Sequence, residues 1–284
     1  MTLAQALQQS AYVLNINGVE DCHIEARMLL GHVTNLSSVQ IYTEPERTLS
    51  REDEDILKKL VARRLKHEPA AYILKHKEFY GIDFYVDYRV LIPRPETEIL
   101  VDAALKFAGS HRYLTRPLSV ADIGTGCGAI AISIALNLPG SKVYATDTSP
   151  SALEVARLNC RHHKVAEQVI LLTGDLLQPL PEPVDLIVAN LPYIKNSEFP
   201  DLGPEIAGFE PIMALDGGES GLDCIQKLLQ QVRDKINTGG CLLLEIGHDQ
   251  EKDVRRLIHT YLNGLNFRFI ADLNCIKRVV KIDL

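Results

Sequence analysis

The chain has 284 residues, a net charge of −7 and a pI near 5.7, with 46% hydrophobic and 24% charged residues. That length leaves room for a catalytic domain and a smaller companion, in a composition ordinary for globular proteins. The acidic charge argues against a protein held to nucleic acid by phosphate contacts. No apolar run reaches the roughly 18 residues that span a bilayer, and the first nineteen residues hold no Lys or Arg to open a secretory or transit signal, so a cytoplasmic chain is expected.

Three amphipathic stretches open the sequence, Leu3 to Leu14, Cys22 to Val33 and Arg51 to Lys66, each with apolar residues at three- and four-residue spacing. Asp21 stands where a cap would for the second, and Ser50 with Asp53 resembles a capping box ahead of the third. The run KKLVARRLK, residues 58–66, reads as a solvated helix face, with Glu54 and Asp55 four residues ahead of Lys58 and Lys59 to pair with them. A small helical domain is expected over 1–75. From Glu78 to Ile92 the pattern turns aromatic and β-branched around a glycine, which predicts a linking β-hairpin within 76–93. Phe79, Tyr80, Phe84, Tyr85 and Tyr88 are read as cross-strand packing rather than a platform for a partner peptide.

After IPRPETE (92–98) a helix runs to about Ala108; Pro95 suits a first helical position and Glu96 and Glu98 a first turn, while Arg94 receives no role. Then strands alternate with helices. Leu118 to Ala121, Lys142 to Thr146, Val169 to Thr173, Val184 to Ala189 and Cys241 to Ile246 read as strands. Ala129 to Asn137, Ser151 to His163, Leu222 to Ile236 and Glu251 to Leu262 read as helices. This βαβ order predicts, over 94–284, a mostly parallel sheet with helices on both faces. The closing strands around Asn274 should pair antiparallel as a C-terminal hairpin. The six cysteines form no metal-spaced or disulfide pattern and read as small apolar fillers, and no metal is expected. His162 and His163 are expected to cap the carbonyls at a helix end.

Chemistry gathers where these strands end. VADIGTGCGAIAI (120–132) sets Gly124, Thr125, Gly126, Cys127 and Gly128 between a strand and a helix, a turn whose backbone a ligand can approach and whose helix N-terminus favours an anion. Asp147, 23 residues after Gly124, closes the next strand, where a carboxylate accepts from ribose hydroxyls. Gly124, Gly126 and Ala129 satisfy a relaxed dinucleotide fingerprint, so NAD remains possible on that motif alone. Asp175 and Leu176, after the third strand, suit an adenine: one accepts from its amino group and the other covers its ring. S-adenosylmethionine fits the whole set. Asn190 ends the fourth strand in Asn190-Leu191-Pro192-Tyr193. Its side-chain oxygen and the main-chain carbonyl of Leu191 can accept both hydrogens of an NH2 group, and Tyr193 offers a flat face to a planar amide or base. No strong base is needed when the methyl donor is already activated.

In this order, IPRPETE, DIGTGCGAIAI, ATDTSPSALEVA, ANLPYI and FEPIMALDGGESGLD (209–223) resemble the HemK-like peptide chain release factor glutamine N5-methyltransferases over nearly the whole chain. The resemblance implies a Rossmann-like class I methyltransferase sheet. It places S-adenosylmethionine on the Gly124 to Gly128 loop, Asp147, the Asp175-Leu176 corner and Asn190. It also places the glutamine of a release factor's Gly-Gly-Gln motif on Asn190 to Tyr193. The helical domain and residues 194–215 would grip the release factor elsewhere. The family usually carries Asn-Pro-Pro-Tyr; Leu191 here replaces the first proline, which keeps the main-chain carbonyl but loses one constraint on φ.

Rival readings make separate predictions. An rRNA adenine N6-methyltransferase shares Asn-Leu-Pro-Tyr, but residues 1–88 carry ten Lys or Arg against thirteen Asp or Glu, so no stable nucleic-acid binding is expected. A glutamine methyltransferase acting on a ribosomal protein would share fold and chemistry. A nicotinamide-binding oxidoreductase would bind NAD, and a non-catalytic scaffold would bind cofactor and transfer nothing.

Overall fold

The computed structural model describes residues 1–110 and 116–284, which divide into two compact units. The first comprises Met1–His76 with Gly203–Phe209, the second Lys77–Leu202 with Glu210–Leu284.

In the first unit α1 (Leu3–Ile16), α2 (Cys22–Thr34) and α4 (Arg51–Arg64) bury one stripe each in a shared core containing Leu3, Leu14, Leu29, Leu30, Leu57 and Val61. Two short helices unforeseen in the sequence complete it, α3 (Ser38–Thr43) and α5 (Ala70–Leu74), each too short to show a period. Ser37 caps α3 in a full capping box with Gln40. Ser50 accepts from the Asp53 amide, half of the expected box, while Asp21 sits at the start of α2 without a side-chain cap bond. The basic run is also partly corrected. Lys58 pairs with Asp55, Glu54 takes the terminal amine, and Arg64 is only 3% exposed rather than solvated. Its guanidinium binds Glu25 and Glu205, and that pairing is what makes its burial tolerable.

The second unit begins with a hairpin of two three-residue strands, β1 (Lys77–Phe79) and β2 (Ile82–Phe84). It is shorter than the aromatic pattern suggested, because the chain beyond Phe84 turns to bond elsewhere: Tyr85 exchanges backbone bonds with the buried Asn159 carboxamide. Phe79 and Phe84 are buried edge to face, as cross-strand packing requires, while Tyr88 is 72% exposed. His163 closes its helix as expected, its backbone amide bonding the Asn159 carbonyl, while its ring bonds the Asp83 carbonyl and lies near Phe84, so it also ties the helix end to this hairpin.

A 3-10 turn, Pro95–Thr97, leads into α6 (Glu98–Ser110). Then come β3 (Ser119–Ile123), α7 (Ala129–Asn137), β4 (Lys142–Asp147), α8 (Pro150–His162), β5 (Val169–Thr173), β6 (Val184–Ala189), α9 (Pro204–Phe209, which belongs to the first unit), α10 (Asp223–Gln231), β7 (Ile236–Glu245), α11 (Glu251–Tyr261), β8 (Asn266–Ala271) and β9 (Lys277–Asp283). The seven strands lie in the order β5-β4-β3-β6-β7-β9-β8. The first five are parallel, and β9 pairs antiparallel with both β7 and β8 as the closing hairpin. β3 and β6 are buried along their whole length, the mark of central strands covered on both faces. The helix expected over 222–236 stops earlier, and Ile236 instead opens β7. Cys22, Cys127, Cys160 and Cys241 are buried fillers as read, whereas Cys275 is exposed in the hairpin turn. Among the described residues no helix is long and apolar enough to cross a membrane, and no cluster could hold a metal.

Candidate active site

The carboxyl ends of β3, β4 and β6 bring most of the singled-out residues together, because parallel neighbours end on the same edge of the sheet. Gly124 and Thr125 donate their amides to the Thr146 carbonyl at 2.9 Å, and Gly126 donates to Asp147 Oδ2 at 2.9 Å. The glycine loop is thus laced to the end of β4. Asp147 accepts also from Ser149, and burial pushes its carboxyl above the ordinary value. Gly126 has φ +55° with open space above its α-carbon, so the backbone there is approachable. Cys127 is buried and its thiol pushed up to about 12, which excludes a thiolate nucleophile at neutral pH.

Asp122, two residues before the first glycine, went unremarked in the sequence. It is fully buried, accepts from the Thr125 hydroxyl at 2.7 Å and the Ala131 amide at 3.1 Å, and is pushed up to about 7 by desolvation. One of the first amides of α7 therefore serves this internal carboxylate rather than an incoming anion. Asp175 is exposed just beyond β5, next to β4, while Leu176 turns its side chain into the core and accepts from Thr146 through its carbonyl.

Asn190 leaves β6 beside the glycine loop. A Cβ on Gly124 would lie 3.3 Å from Leu191 Cδ2 and 3.5 Å from the Asn190 carbonyl oxygen, so the two motifs touch at a residue with φ +73°. The Asn190 side chain donates from Nδ2 to Thr97 Oγ1 at 3.1 Å. Tyr193 points its hydroxyl at Glu245 Oε1, 3.4 Å away, and burial with that neighbouring carboxyl pushes the phenol up to about 12. It is no base at neutral pH, and its ring is what it can offer a ligand.

Three partners of this turn were not foreseen. Gln250 is buried and donates to the Tyr193 carbonyl and the Gly221 carbonyl, both at 3.0 Å, while its oxygen takes the Gly247 amide. Gly217 approaches so closely that a Cβ would fall 2.8 Å from the Tyr193 α-carbon, which accounts for glycine in the DGG segment. Glu245, closing β7, is 2% exposed and is pushed up to about 7, first by burial. An acid ending an apolar run, as in CLLLEIG and VADIG, was the signal available for it and for Asp122. Arg94 finds its partner in Glu210, a buried carboxylate that also takes the Ile92 amide at 3.2 Å, so IPRPETE and EPIMALDGG meet as an ion pair. Glu98 accepts the Tyr80 amide at 2.9 Å. A cavity of about 950 Å³ beside α6 and the closing hairpin is lined by Pro95, Glu96 and Glu98 of the IPRPETE segment but by none of the residues expected to hold cofactor or acceptor.

Residues 5–74 match the PrmC N-terminal domain and residues 106–193 the ribosomal protein L11 methyltransferase (PrmA) family. The chain is 38% identical to the release factor glutamine methyltransferase of Koribacter versatilis over 99% of its length and 98% of the relative's. It is 41% identical to that of Moorella thermoacetica over 93% of each. Among solved structures, a methyltransferase from Pyrococcus furiosus superposes with a TM-score of 0.51 at 21% identity, covering 78% of this chain and 96% of its own, a likeness of fold.

Proposed function

The chain belongs to the release factor glutamine methyltransferases, and from that premise we propose that it methylates the side-chain nitrogen (N5) of the glutamine in the Gly-Gly-Gln motif of peptide chain release factors, with S-adenosylmethionine as donor. The observation that carries this reading is the contact at Gly124 between the glycine loop and the Asn190 to Tyr193 turn, which sets a nucleoside-type site against a site for an NH2 group.

The residues present suit that donor. The open backbone at Gly126 within the Gly124–Gly128 loop and the Asp147 carboxylate would hold its methionine and ribose parts, with Asp175 and Leu176 at the adenine. Once bound, the donor supplies a methyl activated by a positive sulfur. The protein's part is placement. Asn190 Oδ1 and the Leu191 main-chain carbonyl accept the two hydrogens of the glutamine NH2, and the Tyr193 ring packs on the amide plane. The helical residues 1–75 and the segment 194–215 hold the release factor away from its glutamine loop.

Incubating the protein with tritiated S-adenosylmethionine and a release factor, its Gln→Ala version or an rRNA fragment tests the reading. Label is expected on the intact factor alone; label on RNA, or label surviving Gln→Ala, overturns it. Asn190→Ala should cut turnover by about a hundredfold or more while leaving the unfolding transition in place. Wild-type turnover in that variant would remove Asn190 from the mechanism.

A further inference from the structure

The Asn190 to Tyr193 turn is anchored where it leaves β6, but a turn keeps its shape only if its far end is fixed as well, and that end is Tyr193. Three glycines press on it. A Cβ on Gly217 would lie 2.8 Å from the Tyr193 α-carbon, one on Gly221 2.6 Å from its carbonyl oxygen, and one on Gly247 3.3 Å from Cδ2 of its ring. One side chain joins these contacts. Gln250, only 6% exposed, donates its NH2 to the Tyr193 and Gly221 carbonyls, both at 3.0 Å, and accepts the Gly247 amide on its oxygen at 2.8 Å. Turned over, the carboxamide would set its oxygen against two carbonyls and its NH2 against an N–H, so the surroundings select one orientation.

Gln250 stands at the N-cap of α11, where a side chain ordinarily accepts from the first helical amides, yet it makes no such bond. Its carboxamide reaches instead to three loops: the turn after β6, the DGG segment and the exit of β7. We propose that Gln250 is a positioning residue for methyl transfer, holding the Tyr193 end of the turn so that the Tyr193 ring and the Leu191 carbonyl meet the glutamine amide together. This rests on the reading of Asn190 to Tyr193 as the acceptor's site. The Asn190 end is held separately, by Thr97 and by the contact with Gly124, so releasing Tyr193 skews the turn between a fixed end and a loose one. Transfer tolerates little of that, since a displacement of about 1 Å can cost about a hundredfold in rate. The three side-chain bonds of Gln250 go to Tyr193, Gly221 and Gly247, none of them assigned to the cofactor, so its loss should spare cofactor binding.

The test compares the full-length enzyme with Gln250→Met, Gln250→Glu, Gly247→Ala and a control, Asn237→Ala, measuring kcat and KM with a release factor, cofactor affinity by calorimetry and the urea midpoint. Gln250→Met keeps the volume and loses all three bonds, while Gln250→Glu keeps the shape and the accepting oxygen but loses both donors. Both should lower kcat about 10- to 100-fold, with KM for the release factor and cofactor affinity within about threefold, as expected of a group that places rather than binds. Gly247→Ala removes no side-chain bond but sets a Cβ 3.1 Å from Gln250 Cδ and 3.3 Å from the Tyr193 ring, and kcat should fall about threefold or more. Asn237→Ala loses a 2.7 Å bond to Asp185 at the opposite ends of β6 and β7, so its midpoint should drop while kcat stays. Wild-type kcat in Gln250→Glu, or a loss of cofactor affinity in parallel with kcat, overturns the proposal. Should both Gln250 variants fail to fold, Gly247→Ala decides, and unchanged kcat there overturns it as well. A wild type that leaves the release factor's glutamine unlabelled overturns the function itself, whatever the variants do.

Discussion

Replacing Glu245 by glutamine should stabilise the protein, and increasingly so as the pH rises. The carboxyl titrates ordinarily at 4.5 and is pushed up to about 7 in the fold. Below 4.5 it is protonated in folded and unfolded chains alike, so it favours neither. Between the two values the folded chain keeps a proton the unfolded chain has released, and stability therefore falls as the pH climbs through this window. By about pH 8 the ionised carboxylate has cost the fold about 3 kcal/mol, or about 6 °C in midpoint for a chain of this size. Glutamine does not titrate, and its oxygen can still receive the Tyr193 hydroxyl. Its NH2 gains a pH-independent penalty if left without an acceptor, which offsets the whole curve without tilting it. Asp122, also pushed up to about 7, tilts both proteins equally and drops out of their difference. Urea unfolding of the two at pH 5, 6, 7 and 8 measures that difference. A difference flat across the series would refute the reasoning, since it would mean the Glu245 carboxyl titrates alike in both states.

Gly124→Ala forces a side chain onto φ +73° and sets its Cβ 3.3 Å from Leu191 Cδ2, at about 1–2 kcal/mol of backbone strain. Calorimetry should show weaker cofactor binding and melting should show a lower midpoint; no change in either would separate the two motifs. Arg94→Met leaves Glu210 buried without its cation and should cost about 1–3 kcal/mol in urea unfolding, less than for a fully buried pair because Arg94 is a third exposed. Adding Glu210→Gln should recover part of that loss, and strict additivity of the two changes would deny the pair.

The sheet was legible because its strands declare themselves locally, through apolar runs bounded by turn residues, and the glycine loop through its place between strand and helix. The site's supporting residues did not announce themselves in that way. Thr97 and Asn190 are 93 positions apart, and Gln250 and Tyr193 are 57 apart, so no window of sequence joins them. Arg64 was read as solvated because charge pattern records sign and spacing, not depth; only the paired carboxylates Glu25 and Glu205 reveal why it lies inside. Arg94 was without a role for the same reason, its partner being 116 residues on. Helices α3 and α5 escaped because five or six residues make too little of a turn to show periodicity, although Ser37 and Gln40 already had the spacing of a capping box.

Leu191 is where this chain departs from the Asn-Pro-Pro-Tyr form it resembles, and the packing shows what replaces the lost ring. Its side chain is 3% exposed, belongs to the core beneath the sheet's edge, and reaches the α-carbon region of Gly124. A proline would restrain the turn through φ, a gain of about 0.4–1 kcal/mol in chain entropy. Full burial of a leucine contributes about 1.5–3 kcal/mol, so the turn is held at least as firmly from the core side as a ring would hold it. Two functions fall to the residue in the proposed reading. Its side chain anchors the turn to the glycine loop, while its main-chain carbonyl is the group assigned to the acceptor. A change of side chain at 191 therefore acts on how the turn is held, and the hydrogen-bonding edge proposed for it with Asn190 would be carried by a main-chain carbonyl that every amino acid possesses.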